Sequence, residues 1–169
     1  MEEEKNSKLE TKDTLISIVK RNKKTILIFL SILLILFFSF IILNLYYEKR
    51  NISISEKYIK AGLYLANGKK NESLNLYKDI ITRKNKFYSI LALNTILEKE
   101  LEKDKNIILN YFKTIEELNI PKDQKDLLKF KKALYLIKNS EKEKGDALLK
   151  NLMESESKFQ KLVEDVIIK

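Results

Sequence analysis

The chain has 169 residues, a formal net charge of +9, and neither cysteine nor histidine. These absences exclude disulfide bonds, thiol catalysis and cysteine or histidine metal sites, and they remove the usual general base of enzymes. With only 3 glycines and 1 proline, the sequence favours long helices with short polar connections over a sheet-rich fold.

The positive charge comes almost entirely from lysine, and the lysines alternate with glutamate and aspartate along the chain. A nucleic-acid reader concentrates its basic residues on one stripe and places aromatic side chains among them for stacking on bases. No such stripe is visible here. We therefore predict that the partners include no nucleic acid.

The first 24 residues form a charged tail. It opens with three glutamates and closes with a basic cluster at Lys20, Arg21, Lys23 and Lys24. Such a segment cannot bury enough apolar surface to fold alone. We predict that residues 1–24 form a charged cytoplasmic tail.

The next segment, Thr25–Leu43, contains no charged residue, no glycine and no proline. Extended to Tyr47, it is long enough as a helix to cross the ~30 Å hydrocarbon core of a bilayer, and Tyr46 and Tyr47 suit the interface. A cleaved signal peptide would have a shorter apolar stretch followed by a small-residue cleavage site. We predict an uncleaved transmembrane signal anchor at residues 25–47.

The orientation follows from the distribution of lysine and arginine around the anchor. The cluster at residues 20–24 lies directly before it, whereas Lys49 and Arg50 begin a slightly smaller set after it. Positive residues stay on the cytoplasmic side. The predicted location is the inner (cell) membrane, with a cytoplasmic N-terminus and a periplasmic C-terminal domain.

Residues 51–169 show apolar side chains at helical spacing throughout, which predicts an all-α domain. Expected helix boundaries are Ser53 or Ser55 as an N-cap, Asn67-Gly68 as a stop, Asp104 as an N-cap, Pro121 at a first helical position, and Ser157 as an N-cap. The predicted helices are Asn51–Ala66, Asn71–Arg83, Phe87–Leu101, Lys105–Leu118, Asp123–Lys138, Glu141–Met153 and Lys158–Ile168.

The first and third helix pairs align without a gap. Ala61–Asn67 matches Ala133–Asn139, and Ser73 then meets Gly145, at an offset of about 72 residues, or two units near the period of tetratricopeptide repeats. The small residues fall where the two helices of a pair approach closely, with Tyr77 and Leu149 on the inner face. The middle pair fits less well, because its linker at Glu98–Lys103 is too long. The pattern favours a degenerate tetratricopeptide-like solenoid; an ordinary antiparallel bundle is the alternative.

On five segments the chain resembles the ancillary subunit of the bacterial SecYEG translocon: Asn67–Tyr77, Phe87–Ala92, Pro121–Leu128, Leu148–Leu152 and Ser157–Leu162. The resemblance implies an anchored tetratricopeptide-like periplasmic domain that binds exported polypeptides beside translocon components and periplasmic chaperones. The chain departs from that family in its richness in lysine and in ending after one helix of a fourth unit. Within binding proteins, the alternative is an envelope scaffold for division or outer-membrane assembly.

Candidate carboxylate pairs, such as Glu98 with Glu102 and Glu116 with Glu117, lie among lysines on solvated helix faces. We therefore predict no enzyme activity, no catalytic residues, no metal, no cofactor and no small-molecule substrate. If the repeat register holds, the first helix of each pair lines a concave face that suits unfolded peptide. The predicted partner-binding residues, for which core packing is the alternative role, are Tyr58, Leu65, Phe130, Leu134 and Ile137.

The last predicted helix has no partner helix after it. Its apolar stripe is Phe159, Leu162, Val163, Val166 and Ile167. Terminal units of a solenoid need a covering element, so we expect this helix to pack over Glu141–Met153 and close the core. The alternative is that the stripe stays open as a docking surface.

Overall fold

A computed structural model describes residues 21–155 and 157–167, the last of these by its backbone alone. The predicted tail at residues 1–20, Glu156 and the two C-terminal residues lie outside the described part. Within the described part, seven helices follow one another: α1 (Lys23–Ala66), α2 (Lys70–Thr82), α3 (Tyr88–Glu98), α4 (Lys105–Glu116), α5 (Lys122–Lys138), α6 (Lys142–Glu154) and α7 (Gln160–Ile167). The described residues contain no strand, so the all-helical prediction is confirmed.

The chain divides into two compact units, residues 1–50 and residues 51–169, which are described separately. In the first unit, the described residues belong almost entirely to α1, and their apolar side chains from Ile26 to Tyr47 are exposed. An 18-residue window of this helix has a mean hydropathy of 3.3. The helix is long and apolar enough to cross a membrane.

The prediction that a new helix begins at Asn51 is wrong, because α1 runs without a break for 44 residues to Ala66. Ser53 and Ser55 therefore lie inside a helix and cap nothing. The physical reason is that neither glycine nor proline interrupts the backbone between the apolar segment and Gly62. A serine that could cap a new helix does not start one unless a preceding residue first interrupts the existing helix.

Four of the described helices, α1, α2, α3 and α5, are followed by left-handed turns. After α1, Gly68 has φ +75°, its amide donates to the Leu65 carbonyl at 3.0 Å, and the Lys69 amide donates to the Tyr64 carbonyl at 2.9 Å. This is a Schellman motif, and it confirms the predicted stop at Asn67-Gly68. Residues other than glycine take the same conformation after three other helices: Lys84, Glu100 and Ser140.

The remaining boundaries lie within three residues of the predicted ones. Asp104 caps α4 as predicted, since its Oδ1 accepts from the amides of Asn106 and Ile107 at 2.8 and 3.3 Å. Pro121 stands directly before α5 instead of at its first position. Helix α3 ends at Glu98, before the predicted Leu101, because Glu100 adopts φ +49° and turns the chain away.

The larger hydrophobic core lies in the second unit and joins α2, α3 and α4 to the residues of α1 beyond Asn51. Its fully buried side chains include Ile54, Ala61, Tyr77, Ile80, Ile81, Leu93, Ile96, Phe112 and Ile115. The rings of Tyr58, Tyr77 and Tyr88 meet inside it at centroid distances of 5.6 and 5.8 Å, and these rings come from α1, α2 and α3. Contacts among these aromatic rings thus stabilise the packing of α1, α2 and α3 against one another.

A second core joins α5, α6 and α7 through Phe130, Ala133, Leu149, Leu152 and Val163.

The small residues that the repeat pattern singled out, namely Ala61, Ser73, Ala133 and Gly145, are all buried, as are Tyr77 and Leu149. At Gly145 the contact is very close. A Cβ atom there would lie 2.5 Å from Cγ1 of Ile137 and 2.8 Å from the carbonyl oxygen of Ala133.

Helix α7 packs on this second core. Val163 is fully buried and Val166 is partly buried against it, whereas Leu162 remains exposed. The helix begins at Gln160, two residues later than predicted, although the Ser157 hydroxyl does accept from the Phe159 amide at 3.3 Å. The side chain of Ile167 lies outside the described part. The predicted cover over α6 is therefore present, with Val163 as its buried residue.

We expect Gly145→Ala to lower the free energy of unfolding by about 1–3 kcal/mol, because the new methyl group would force α5 and α6 apart. Gly62→Ala is the matched control, since a Cβ at Gly62 would meet nothing closer than the Tyr77 hydroxyl at 3.9 Å. Alanine there should be neutral or stabilising. Thermal denaturation of both full-length variants in detergent, followed by circular dichroism, checks this. Equal effects at the two glycines would contradict the close contact.

Val163→Ala should cost about 1.5–3 kcal/mol of stability, because it removes a side chain that is fully buried against α6. Its neighbour Leu162 is exposed, so Leu162→Ala should change stability by less than about 0.5 kcal/mol. Chemical denaturation of the two variants measures both values. A neutral Val163→Ala variant would show that α7 does not cover the core.

Candidate functional site

A groove of about 490 Å³ lies between α3 and α5 in the second unit. Its apolar wall is formed by Ile96, Leu97, Leu134 and Tyr135. Its polar rim is formed by Glu100, Glu102, Lys103, Lys138 and Asn139. An apolar depression with a few polar groups at its edge is the usual form of a binding site.

The groove exists because α5 packs in two directions. Phe130 and Ala133 enter the second core, while Leu128 enters the first and Tyr135 packs against it, with its ring 6.1 Å from that of Phe112. Leu134 lies between these two contacts and is left 37% exposed. The connection from α3 to α4, residues 99–104, passes along the same side and supplies most of the rim.

The mouth of the groove carries an ion pair. Lys138 Nζ lies 2.7 Å from Glu100 Oε1, and both side chains are largely exposed. The hydrogen bond from Lys138, together with its charge, holds the pKa of Glu100 below its usual range. A second rim carboxylate, Glu102, accepts from Lys78 at 2.7 Å, and this hydrogen bond lowers its pKa too. Both carboxylates thus remain ionised and paired, which suits recognition better than proton transfer.

A shallower depression continues the groove along the same two helices. It is lined by Asn94, Leu97, Glu98 and Lys131, and it shares Leu97 with the main groove. Lys131 Nζ donates to Asn94 Oδ1 at 2.7 Å, so it bridges α5 to α3. Burial lowers the pKa of Lys131, although the charge of Glu98 opposes this. The result is one elongated surface on α3 and α5, with an apolar main groove and a largely polar extension.

Of the five residues predicted to contact a partner, Leu134 lines this groove. Phe130 is buried in the second core, and Ile137 packs against that core beside Gly145. Tyr58 is partly buried in the aromatic cluster, with its hydroxyl 3.3 Å from Thr95 Oγ1, and Leu65 is partly buried on α1. Tyr58, Phe130 and Ile137 thus pack in or against the two cores, which was the alternative role.

Sequence reasoning missed Leu97 and Tyr135 as groove residues. Both belong to helical apolar patterns that predict a core position equally well, so their types and spacing carry no signal for exposure. The long linker after α3 was the one usable sign. It showed that the middle pair departs from the repeat, and its residues 100, 102 and 103 form part of the rim.

The carboxylates that could have suggested acid–base chemistry occur in ion pairs with lysines. The pairs are Glu98 with Lys99 at 2.8 Å, Glu102 with Lys78 at 2.7 Å, Glu116 with Lys132 at 2.9 Å, and Glu117 with Lys84 at 3.4 Å. Within residues 21–155 and 157–167, no group of three or more acidic side chains is placed to hold a metal ion.

The α3–α5 groove thus has the apolar lining and polar rim that suit a binding surface. No protein-family model, curated protein or solved structure matches the chain.

Proposed function

We propose that this chain is a membrane-anchored binding protein that holds exported polypeptides near the Sec translocon. The observation that carries the proposal is the apolar groove between α3 and α5, on a domain that follows a helix able to cross a membrane. Translocon components and periplasmic chaperones are its proposed neighbours. The segments that resemble the translocon subunit support this choice of partners.

The proposed architecture is a degenerate tetratricopeptide-like solenoid. Its pairs are the end of α1 with α2, α3 with α4, and α5 with α6, while α7 covers the last pair. The repeat offset and the buried small residues at equivalent positions, Ala61 with Ala133 and Ser73 with Gly145, support it. In such an array the first helices of successive pairs line a continuous concave surface. The α3–α5 groove lies between two of these first helices.

The chemistry of the groove suits a segment of unfolded chain. Leu97 and Leu134 offer contact to an aliphatic or aromatic side chain, and the rim offers both charges to the peptide backbone or to polar neighbours. Because the rim carries both positive and negative side chains, it does not favour peptides of one charge. A surface of this kind accepts many sequences weakly, which is what contact with passing polypeptides requires.

The proposed topology places the N-terminus in the cytoplasm and the helical domain outside it. The support is the basic cluster Lys20–Lys24, which directly precedes the apolar part of α1. A domain without cysteine is indifferent to an oxidising compartment, so its composition suits either side.

A photoreactive amino acid at Leu134 should crosslink to exported polypeptides in growing cells, and to translocon subunits if the domain works beside the channel. The matched control is the same substitution at Leu162, an exposed leucine on α7 far along the chain from the groove residues. Mass spectrometry of the adducts identifies the partners. We expect several-fold more exported-chain adducts from Leu134 than from Leu162.

Two outcomes would contradict this function. Recovery of division or outer-membrane assembly proteins alone would favour the envelope-scaffold alternative. Equal, low yields from Leu134 and Leu162 would show that the groove is not a polypeptide-binding surface.

Protease added to intact spheroplasts should digest residues 51–169 and leave a membrane-protected N-terminal fragment, because the domain is proposed to lie outside the cytoplasm. Antibodies against tags at each terminus follow the two ends, and detergent lysis provides the control in which both are digested. Protection of the C-terminal tag in intact spheroplasts would reverse the orientation.

A further inference from the structure

Several polar side chains that line the α3–α5 groove and its extension are already hydrogen-bonded within the domain. At the mouth, Lys138 pairs with Glu100, and farther along the groove Lys131 donates to Asn94 Oδ1. The side-chain amide of Asn139 donates to a backbone carbonyl oxygen of α5 at 2.7 Å. A peptide that needs these side chains as hydrogen-bond partners would have to displace the bonds that they make now.

The backbone at the ends of the two groove helices is satisfied in the same way. In the connection from α3 to α4, the amides of residues 99–101 donate to carbonyl oxygens of α3, and those of Lys103 and Asp104 donate to Glu102 Oε1. After α5, the amides of residues 139–141 donate to carbonyl oxygens of that helix. An extended peptide laid along these elements would leave its own amides and carbonyls against apolar side chains, and each such group costs free energy when it is buried without a partner.

A helix avoids this cost, because its amides and carbonyls are bonded within it. The groove and its extension have the length for a short helix, since from Lys131 to Lys138 they follow α5 for about two turns, or ~10 Å. Leu134 lies midway along this stretch, and Leu97 of α3 lines both the groove and the extension. A helix with apolar side chains at i, i+4 and i+7 presents an apolar stripe of the same length.

The charges on the two sides of the groove differ in sign. The side formed by α3 and the connection after it is mainly acidic, whereas the side formed by α5 is basic. The acidic side carries Glu98, Glu100 and Glu102 together with Lys103, and the basic side carries Lys131 and Lys138. The exposed pair of Lys138 with Glu100 at the mouth contributes little stability. A helix with basic residues along one edge and acidic residues along the other can replace that pair with two pairs of its own.

We propose that the groove binds a polypeptide segment as an amphipathic helix, with an apolar stripe between a basic edge and an acidic edge. The inference rests on the proposed function and names the form in which an exported chain is held. The segment is unfolded before it binds and becomes helical in the groove, where its apolar stripe contacts Leu97 and Leu134 and its charged edges meet the rim.

Three synthetic peptides of identical composition and net charge test this form of binding. The first carries leucines at i, i+4 and i+7, with lysines along one edge and glutamates along the other. In the second, two central residues are D-enantiomers, which interrupt a right-handed helix. In the third, lysine and glutamate alternate along each edge.

Fluorescence anisotropy measures the binding of each labelled peptide to the full-length chain in lipid nanodiscs, and empty nanodiscs measure binding to lipid alone. We expect the first peptide to bind about tenfold more tightly than the second, because the second exposes unpaired backbone groups to the apolar wall. It should bind about threefold more tightly than the third, as surface ion pairs allow.

Substitutions in the chain locate the binding. Leu134→Glu should weaken binding of the first peptide about tenfold, because it places a charge on the apolar wall. Leu162→Glu is the matched control, since it alters an exposed leucine outside the groove and should leave binding unchanged. Circular dichroism checks that both variants remain folded.

The outcomes separate this inference from the proposed function. Equal binding of the first and second peptides, weakened by Leu134→Glu, would overturn the helical form while leaving the groove a polypeptide-binding site. Equal binding of the first and third peptides would overturn the charged edges. If no peptide binds, or if Leu134→Glu leaves binding unchanged, both the helical form and the proposed function of the groove are refuted.

Discussion

The packing of α5 against two cores is the constraint on which the rest of the helical domain depends. Leu128 and Tyr135 belong to the contacts with the first core, whereas Phe130 and Ala133 build the second. Because α5 packs against a different core on each of two faces, the strip of its surface between those faces contacts neither core. Leu134 occupies that part, and the apolar wall of the groove is the direct result. The domain is held together and given its candidate site by the same helix.

Close backbone approach makes this double packing possible. Gly145 allows α6 to lie against the Ala133 carbonyl, so α5 can be covered on that side without being pushed away from α4. On its other side, Lys132 pairs with both carboxylate oxygens of Glu116 at 2.9 Å, and Tyr135 packs near Phe112. Small residues set the distance between helices, while lysine–glutamate pairs cover the polar margins. Ion pairs near the protein surface contribute little energy each, so the apolar contacts provide most of the stability of the fold.

Most of the secondary structure could be predicted because its signals are local. Asp104 before an apolar-periodic run, Gly68 after one, and small residues at a regular interval each have one simple structural meaning. The continuity of α1 could not be predicted in this way, since Ser53 and Ser55 are compatible with both a helix start and a helix interior. The end of α3 at Glu98 could not be predicted either, because it depends on Glu100 adopting a left-handed backbone conformation. The groove is formed by tertiary contacts: whether Leu97 or Leu134 is buried depends on neighbours far away in sequence, and of the five predicted contact residues Leu134 alone lines the groove.

The left-handed turns at Lys84, Glu100 and Ser140 lower the free energy of unfolding below the value that the same fold could reach. Residues with a side chain pay roughly 1 kcal/mol or more to adopt a conformation that glycine takes freely. Three such turns therefore keep the domain below the stability that its fold could reach with glycine at the same places. Natural sequences commonly stop short of that limit. The turns that follow α2, α3 and α5 are accordingly the places where the backbone gains most by relaxing, and so the first places where consecutive helices can separate.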